Sequence, residues 1–273
     1  ISPLLNTLLK IISLRSFLIL YCTLCSIQGN AQSSIQSNIQ SNTQMKRVAI
    51  VIDDMGYRYT DKHALTLPGA VTYAFLPHTT YGKKLAIQAK NANHDVLIHI
   101  PMESENKKKL GPGALTSLMD KQAFSKSLTK SFAEIPFAIG INNHMGSYLT
   151  QLYQPMAWTM AFLKQNDLFF LDSKTSPHSQ AQQAAIDFGV PVKSRHIFLD
   201  NELTDEYISK QFKQLVNFAQ KHQTAIAIAH PHPETVTILT KLIPTLKLHG
   251  IELVPLSRLY QVTNIHKEIV ISE

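Results

Sequence analysis

The chain contains the stretch Val48-Ala49-Ile50-Val51-Ile52-Asp53-Asp54, in which two adjacent carboxylates directly follow an apolar run. Such a β-branched run is typical of a strand that is buried on both faces. Two neighbouring acids at its end are unfavourable, because an unpaired buried charge is costly and like charges raise each other's pKa. A bound cation would remove both penalties. The alternative is that Asp53 caps a turn and Asp54 begins a helix near Gly56.

Six further apolar runs follow along the chain, at 71–75, 96–98, 137–141, 168–171, 225–229 and 251–254. Between them lie stretches with a helical pattern of apolar residues, at 81–92, 121–134, 155–165, 179–188, 205–221 and 234–249. Alternating strands and helices favour a parallel sheet, either closed into a (β/α) barrel or doubly wound. The sequence therefore predicts an α/β fold of about seven parallel strands with helices outside.

Polar side chains of the kinds that bind metals follow nearly every one of these apolar runs. In both architectures the functional residues collect at the carboxyl ends of the strands, so these side chains are expected to lie close together. They are Asp53, Asp54, His78, His99, Glu103, Asn142, Asn143, His144, Asp172, Ser173, His230 and His232.

A divalent cation suits this set of side chains. His99 alone could be a core histidine, but His144 follows the next strand and Glu103 lies four residues after His99. Aspartate with histidine or glutamate, and no cysteine, matches zinc or another divalent metal that keeps one position open for water. Asn143 and Asp172 are possible additional members of this site.

Two histidines flank Pro231 directly after the apolar run at 225–229. The proline would hold His230 rigidly towards the carboxyl ends of the strands, where an imidazole suits a general acid that protonates a leaving group. His232 is a possible additional site residue, although it more simply begins the next helix before Pro233.

The composition fits one domain without a nucleic-acid partner. The chain has 273 residues and a formal net charge of +7, enough to bury one large core. Its lysines are dispersed except at 107–109, and no alternation of aromatic and basic residues points to nucleic acid. A domain is expected over 46–260, with a C-terminal tail over 261–273.

The beginning of the sequence is typical of export. Residues 1–31 contain a short apolar run after Lys10 and a small-residue site ending at Ala31, the pattern of a cleaved signal peptide. Both cysteines, Cys22 and Cys25, lie within it. A flexible linker rich in Ser, Gln and Asn follows over 32–45. An exported, periplasmic protein without a stable membrane span after cleavage is expected; the alternative is an N-terminal membrane anchor.

Four motifs resemble the divergent polysaccharide deacetylase family, a distant relative of carbohydrate esterase family 4. They are Val51-Ile52-Asp53-Asp54-Met55-Gly56, His99-Ile100-Pro101-Met102-Glu103, Asn142-Asn143-His144-Met145-Gly146 and His230-Pro231-His232-Pro233. The resemblance implies a distorted (β/α) barrel with one divalent metal, for which zinc is the expected ion. It also implies that Asp53 is the catalytic base, Asp54 a metal ligand and His230 the acid.

The sequence departs from the pattern of the better-studied deacetylases in two places. Their paired metal histidines lie four residues apart, whereas Glu103 occupies the second position here. Either Glu103 is a ligand or His144 supplies the imidazole, and we expect His144, since a histidine-rich set leaves a metal more Lewis-acidic. The arginine-proline motif of typical deacetylases is also missing.

Two functions are compatible with these observations. The first is a metal-dependent hydrolase that removes N-acetyl or similar acyl groups from an envelope carbohydrate, such as peptidoglycan. The second is a non-catalytic module that keeps the deacetylase fold and binds an envelope glycan or partner. The pair Asp53 and Asp54 favours the hydrolase, because a binding module has no need for two costly acids. Glu103 in place of a second metal histidine favours the binding module.

Overall fold

A computed structural model describes residues 45–260. The predicted signal peptide, residues 32–44 of the linker and the C-terminal tail lie outside these described residues. The described strands are β1 (Lys46–Met55), β2 (Thr72–Phe75), β3 (Val96–Met102), β4 (Gly140–Met145), β5 (Phe169–Asp172), β6 (Val192–Ser194), β7 (Ile197–Phe198), β8 (Thr224–Ala229) and β9 (Ile251–Leu253).

The α-helices that accompany the strands within residues 45–260 are α1 (Gly82–Asn91), α2 (Lys121–Glu134), α3 (Tyr153–Gln165), α4 (Ala181–Phe188), α5 (Asp205–His222) and α6 (Pro233–Leu242). Residues 257–260 are also helical. Three 3-10 helices cover Tyr59–Thr66, Leu149–Gln151 and Ile243–His249. In this part of the chain no helix combines the length and the apolar character needed to cross a membrane.

The strands form one parallel sheet in the order β6-β5-β4-β3-β2-β1-β8-β7, and β9 pairs with the beginning of β1. The two edge strands, β6 and β7, are separated along the chain only by Arg195 and His196. Since an extended residue spans at most about 3.6 Å, the sheet must curl until its edges lie within about 11 Å of each other. The predicted distorted (β/α) barrel is therefore confirmed.

The number of strands differs from the prediction of about seven, because nine strands occur between residues 45 and 260. All seven predicted runs contribute a strand, and the two additional ones are β6 and β7. They are only three and two residues long and only partly buried. Their sequence, Val192-Lys193-Ser194-Arg195-His196-Ile197-Phe198, mixes apolar and charged residues and lacks the continuous apolar character of a buried parallel strand.

The curled sheet separates two layers of apolar side chains. The outer layer lies between the sheet and the helices. The inner layer contains no residue of α1–α6 and fills the barrel with alternate residues of the strands, among them Ala49, Val51, Leu97, Ile226 and Ile228. Because successive side chains of a strand point to opposite faces, this alternation shows which residues face the barrel interior.

The segment after β9 closes the amino-terminal end of the barrel. Val254, Leu256 and Leu259 are buried in the inner layer. The Leu256 N–H donates to Thr72 Oγ1 at the start of β2 (3.0 Å), and the Tyr260 hydroxyl donates to the Phe170 carbonyl of β5 (2.8 Å). With this end closed, the carboxyl ends of the strands form the open mouth of the barrel.

Helix boundaries agree with the sequence where a clear cap or stop signal is present. Asp120 accepts a hydrogen bond from the Ala123 N–H (2.8 Å) and begins α2 at the predicted residue. The single helix predicted over 234–249 is wrong, because α6 ends at Leu242 and a 3-10 helix continues to His249. Pro244 lies at this junction and lacks the N–H that a continuing α-helix needs.

We predict that stability depends on the inner layer. Leu97 is fully buried there, whereas Leu248 is 84% exposed. Leu97→Ala should lower the free energy of unfolding by about 2–5 kcal/mol, the usual cost of a core cavity. Leu248→Ala, the same chemical change on the surface, should alter it by less than about 0.5 kcal/mol. Urea denaturation measures both, and equal effects would contradict the assignment of Leu97 to the core.

Candidate metal centre

The inward-facing rows of the strands end in polar side chains at the mouth of the barrel. In β1 the row Ala49, Val51 continues to Asp53, and in β3 Leu97 is followed by His99. The corresponding positions of other strands are Asn142 and His144 in β4, Ser173 after β5 and His230 after β8. The apolar alternation that fills the barrel thus delivers the polar residues to one place.

A local irregularity brings Asp54 to the mouth as well. In a regular strand the Asp54 side chain would point away from the barrel interior, opposite to Asp53. However, the pairing of β1 with β2 shifts register between Ile52 and Met55, and Asp54 has a left-handed φ of 57°. A bulge of this kind re-aims a side chain. Asp53 does not cap the turn, because Asp61 accepts the hydrogen bond from the Gly56 N–H (3.0 Å). Asp54 does not begin a helix, because the next helix begins at Tyr59.

Asp54, His99 and His144 form a compact cluster whose candidate ligand atoms all lie within 4.8 Å of one another. Asp54 Oδ1 lies 3.1 Å from His99 Nε2 and 2.7 Å from His144 Nδ1. Burial alone would raise the pKa of Asp54, but the two imidazoles hold it well below its ordinary value. Asp54 is therefore an anion between two nitrogen donors.

The cluster fits a divalent cation. Asp54 Oδ1 is a buried acceptor without an assigned hydrogen-bond partner among residues 45–260, although two imidazole nitrogens lie within 3.1 Å of it. Two imidazoles and a carboxylate are ligands that zinc uses in open catalytic sites. Tetrahedral ligands with bonds of about 2.05 Å lie about 3.3 Å apart, a spacing close to the distances between Asp54 and the two histidines.

Asn142 connects the cluster to Asp53. His99 Nδ1 lies 2.8 Å from Asn142 Oδ1, and Asn142 Nδ2 donates to Asp53 Oδ1 (2.8 Å). Because an amide oxygen only accepts, Nδ1 of His99 carries a proton and leaves Nε2 free to act as a ligand. Burial raises the pKa of Asp53, although the nearby His99 opposes this shift.

His230 reaches the cluster from β8 and is held by Asp200. Its Nε2 lies 4.0 Å from Asp54 Oδ2. On its other side, Nδ1 lies 3.0 Å from Asp200 Oδ1, and the His230 backbone N–H donates to Asp200 Oδ2 (2.7 Å). Burial alone would lower the pKa of His230, but the hydrogen bond and charge of Asp200 raise it to about 9.

Sequence reasoning missed Asp200 because it missed β7, the short strand that precedes it. The signal was present in Phe198-Leu199-Asp200, where an acid follows apolar residues as Asp53 does after β1. Asp200 is buried and also accepts a hydrogen bond from Thr235 Oγ1 (2.9 Å).

The four possible additional residues lie outside the three-residue cluster. Glu103 accepts a hydrogen bond from the Ser117 N–H (2.7 Å). Asn143 accepts from the Ser173 N–H (2.9 Å), and Asp172 accepts from the Lys174 N–H (2.8 Å). His232 is the N-cap residue of α6. The first three therefore hold loops around the mouth of the barrel.

The fold and the cluster together define a (β/α) barrel with a candidate metal centre at its mouth. The sequence profile described as divergent polysaccharide deacetylase matches residues 50–260, and the chain belongs to this family. It is 37% identical over 198 residues to the Escherichia coli (strain K12) protein named "Uncharacterized protein YibQ", a match that covers 72% of this chain and 62% of that protein. The chain therefore spans less than two thirds of the length of that relative.

Solved structures show the same fold. An uncharacterized protein from Agrobacterium tumefaciens C58 superposes with a TM-score of 0.77 at 26% identity, over 80% of this chain and 91% of the other. BA3943, a carbohydrate esterase family 4 pseudoenzyme from Bacillus anthracis, superposes with a TM-score of 0.50 at 13% identity, over 80% of this chain and 66% of the other. The second likeness concerns the fold alone.

We predict that His144, and not Glu103, is the third ligand of a bound divalent metal. His144→Ala should weaken zinc binding by more than about a hundredfold, since even groups that only support a ligand account for ten- to a hundredfold. Glu103→Gln should leave zinc binding unchanged, because its carboxylate holds a loop. Metal content after dialysis against graded zinc buffers measures both, and the reverse pattern would identify Glu103 as the ligand.

Proposed function

We propose that this protein is a metal-dependent hydrolase that removes N-acetyl groups from an envelope carbohydrate. The observation that carries the proposal is the position of two titratable groups, Asp53 and His230, beside a cluster of Asp54, His99 and His144 that could hold a metal ion. Membership of the divergent polysaccharide deacetylase family supports an acylated glycan as the substrate. Envelope location remains an expectation from residues 1–31.

A divalent cation held by Asp54, His99 and His144 would polarise the acyl oxygen and lower the pKa of a water molecule. Zinc is the ion that we propose, because two imidazoles and one carboxylate are typical zinc ligands. The remaining steps are performed by residues of the chain.

Asp53 is the proposed general base. Its Oδ1 is occupied by the Asn142 amide, whereas Oδ2 lies on the side of His99 Nε2 (3.6 Å). Oδ2 is thus directed towards the cluster and can accept the proton of the attacking water. The raised pKa of Asp53 improves its capacity to take up that proton.

His230 is the proposed general acid. Asp200 holds its Nδ1, so that Nε2 faces the cluster and can donate a proton to the departing amine. Asp200 therefore orients the imidazole ring and stabilises its protonated form, as a carboxylate beside a histidine does. The products would be acetate and a free amino group on the sugar.

The alternative is a non-catalytic module that binds an envelope glycan or partner. The structural likeness to BA3943, a pseudoenzyme, supports this alternative. A mutant of BA3943 has restored enzymatic activity. This chain offers a side chain for each proposed role: Asp53 for the base, His230 for the acid, and Asp54, His99 and His144 for the ligands. The hydrolase is therefore the better-supported function.

We predict that metal binding and turnover can be separated by mutation. Asp53→Asn and His230→Ala should each retain the metal and the fold while lowering acetate release by about two to four orders of magnitude, the usual worth of general acid–base catalysis. Acetylated chito-oligosaccharides and peptidoglycan serve as substrates, and the metal content of each variant is the control. Full activity of Asp53→Asn, or no acetate release by the zinc-, cobalt-, nickel- or manganese-loaded wild type, would favour the binding module.

A further inference from the structure

A second concave surface opens on the same side of the barrel as the metal cluster. Its volume is about 590 Å³, and its lining includes His78, Gly113, Met119, Lys126, Ser127 and Lys130. His78 follows β2, and the carboxyl ends of β1 and β2 are joined by a hydrogen bond from the Leu76 N–H to the Met55 carbonyl (3.0 Å). We call this surface the His78 concavity.

One long loop follows β3, the strand that carries His99, and lines the His78 concavity. Residues 103–120 contain no helix and only an isolated β-bridge between Leu115 and Met102. At Gly111 the loop lies so close to the Tyr57 hydroxyl that a Cβ atom would clash with it. At Gly113 a Cβ atom would lie 2.8 Å from the His78 ring. Structureless loops of this length in a compact domain are usually functional.

His78 is fixed in an unfavourable conformation. Its φ of 58° is left-handed, which costs a non-glycine residue about 1–2 kcal/mol. Glu134 compensates, because its Oε2 accepts a hydrogen bond from the His78 backbone N–H (2.8 Å) and lies 2.6 Å from the ring Nδ1. Strained residues that are held in this way cluster at functional sites.

Ser131, His78 and Glu134 are arranged like a serine–histidine–acid triad. Ser131 Oγ lies 3.4 Å from His78 Nε2. Ser131 is fully buried, however, and the Gly113 backbone covers it. No substrate can reach its hydroxyl. The three residues therefore hold the imidazole in place as part of a binding surface.

The concavity carries unpaired positive charge. Lys126 and Lys130 lie four residues apart on α2, so they share one face of the helix. Within residues 45–260 neither lysine has an acidic partner within 4.0 Å, and the nearest acid along this face, Glu134, is engaged by His78. Two ammonium groups one helical turn apart can bind the same carboxylate or phosphate group.

We propose that the His78 concavity is a second substrate subsite, which binds a carboxylate or phosphate group on the same glycan whose acyl group reaches the metal cluster. This inference rests on the proposed function and makes its substrate an anionic polymer. The loop at 103–120 begins directly after β3, which carries His99, and lines the concavity. Met119 and Ala123 offer an apolar surface to a sugar ring beside the lysines.

Binding measurements on the full, metal-loaded chain test this inference. The probes are an N-acetylglucosamine tetramer, the same tetramer oxidised to carboxylates at C6, and the tetramer phosphorylated at C6. Calorimetry should show that one anionic tetramer binds about tenfold more tightly than the neutral one, the worth of one charge-assisted hydrogen bond. If the oxidised tetramer gains affinity over the neutral one, the preferred group is a carboxylate. If the phosphorylated tetramer gains affinity, it is a phosphate.

The variant Lys126→Gln/Lys130→Gln should lose this preference while it binds the neutral tetramer as before. Lys210→Gln/Lys213→Gln on α5 removes the same charge from exposed positions outside the concavity and should retain the preference. Equal affinity of all three tetramers, or equal loss in both variants, would overturn the subsite. Because binding is measured without turnover, a failure to release acetate refutes the hydrolase and not the subsite.

Discussion

Two adjacent carboxylates at the end of the central strand are the constraint on which the site depends. β1 pairs with β8 and β2. At its carboxyl end Asp53 is buried, whereas Asp54 is partly exposed at the mouth of the barrel. Like charges in such a position require positive or hydrogen-bonding neighbours. The barrel supplies them from three strands, as His99, His144 and His230, and the closed amino-terminal end leaves this mouth as the place where a cation and a substrate can enter.

Asn142 makes the candidate ligand and the proposed base interdependent. One amide oxygen sets the tautomer of His99 and one amide nitrogen occupies an oxygen of Asp53. The same side chain thereby directs His99 Nε2 and Asp53 Oδ2 towards the proposed positions of the cation and the attacking water. Asp200 has the corresponding role for His230. Buried hydrogen bonds of this type let a site keep its geometry without relying on flexible surface groups.

The sequence predicted those parts of the structure that a continuous physical pattern determines. Strands buried on both faces are uniformly apolar and were recognised, whereas β6 and β7 are short and half-exposed, and Asp200 was missed with them. The bulge at Asp54 depends on strand pairing and has no signature in the residues themselves. Asn142 could have been distinguished from Asn143, because a strand places residues 142 and 144 on one face and residue 143 on the other.

We infer that Asp54, His99 and His144 together hold one divalent ion. Diffraction from crystals of the zinc-loaded protein, recorded at the zinc absorption edge, tests it most directly. The structure predicts a single anomalous peak about 2.0–2.2 Å from an Asp54 oxygen, His99 Nε2 and His144 Nδ1, the distances that zinc adopts with such ligands. A peak bound instead by Glu103, or zinc-loaded crystals without a peak between these three residues, would contradict it.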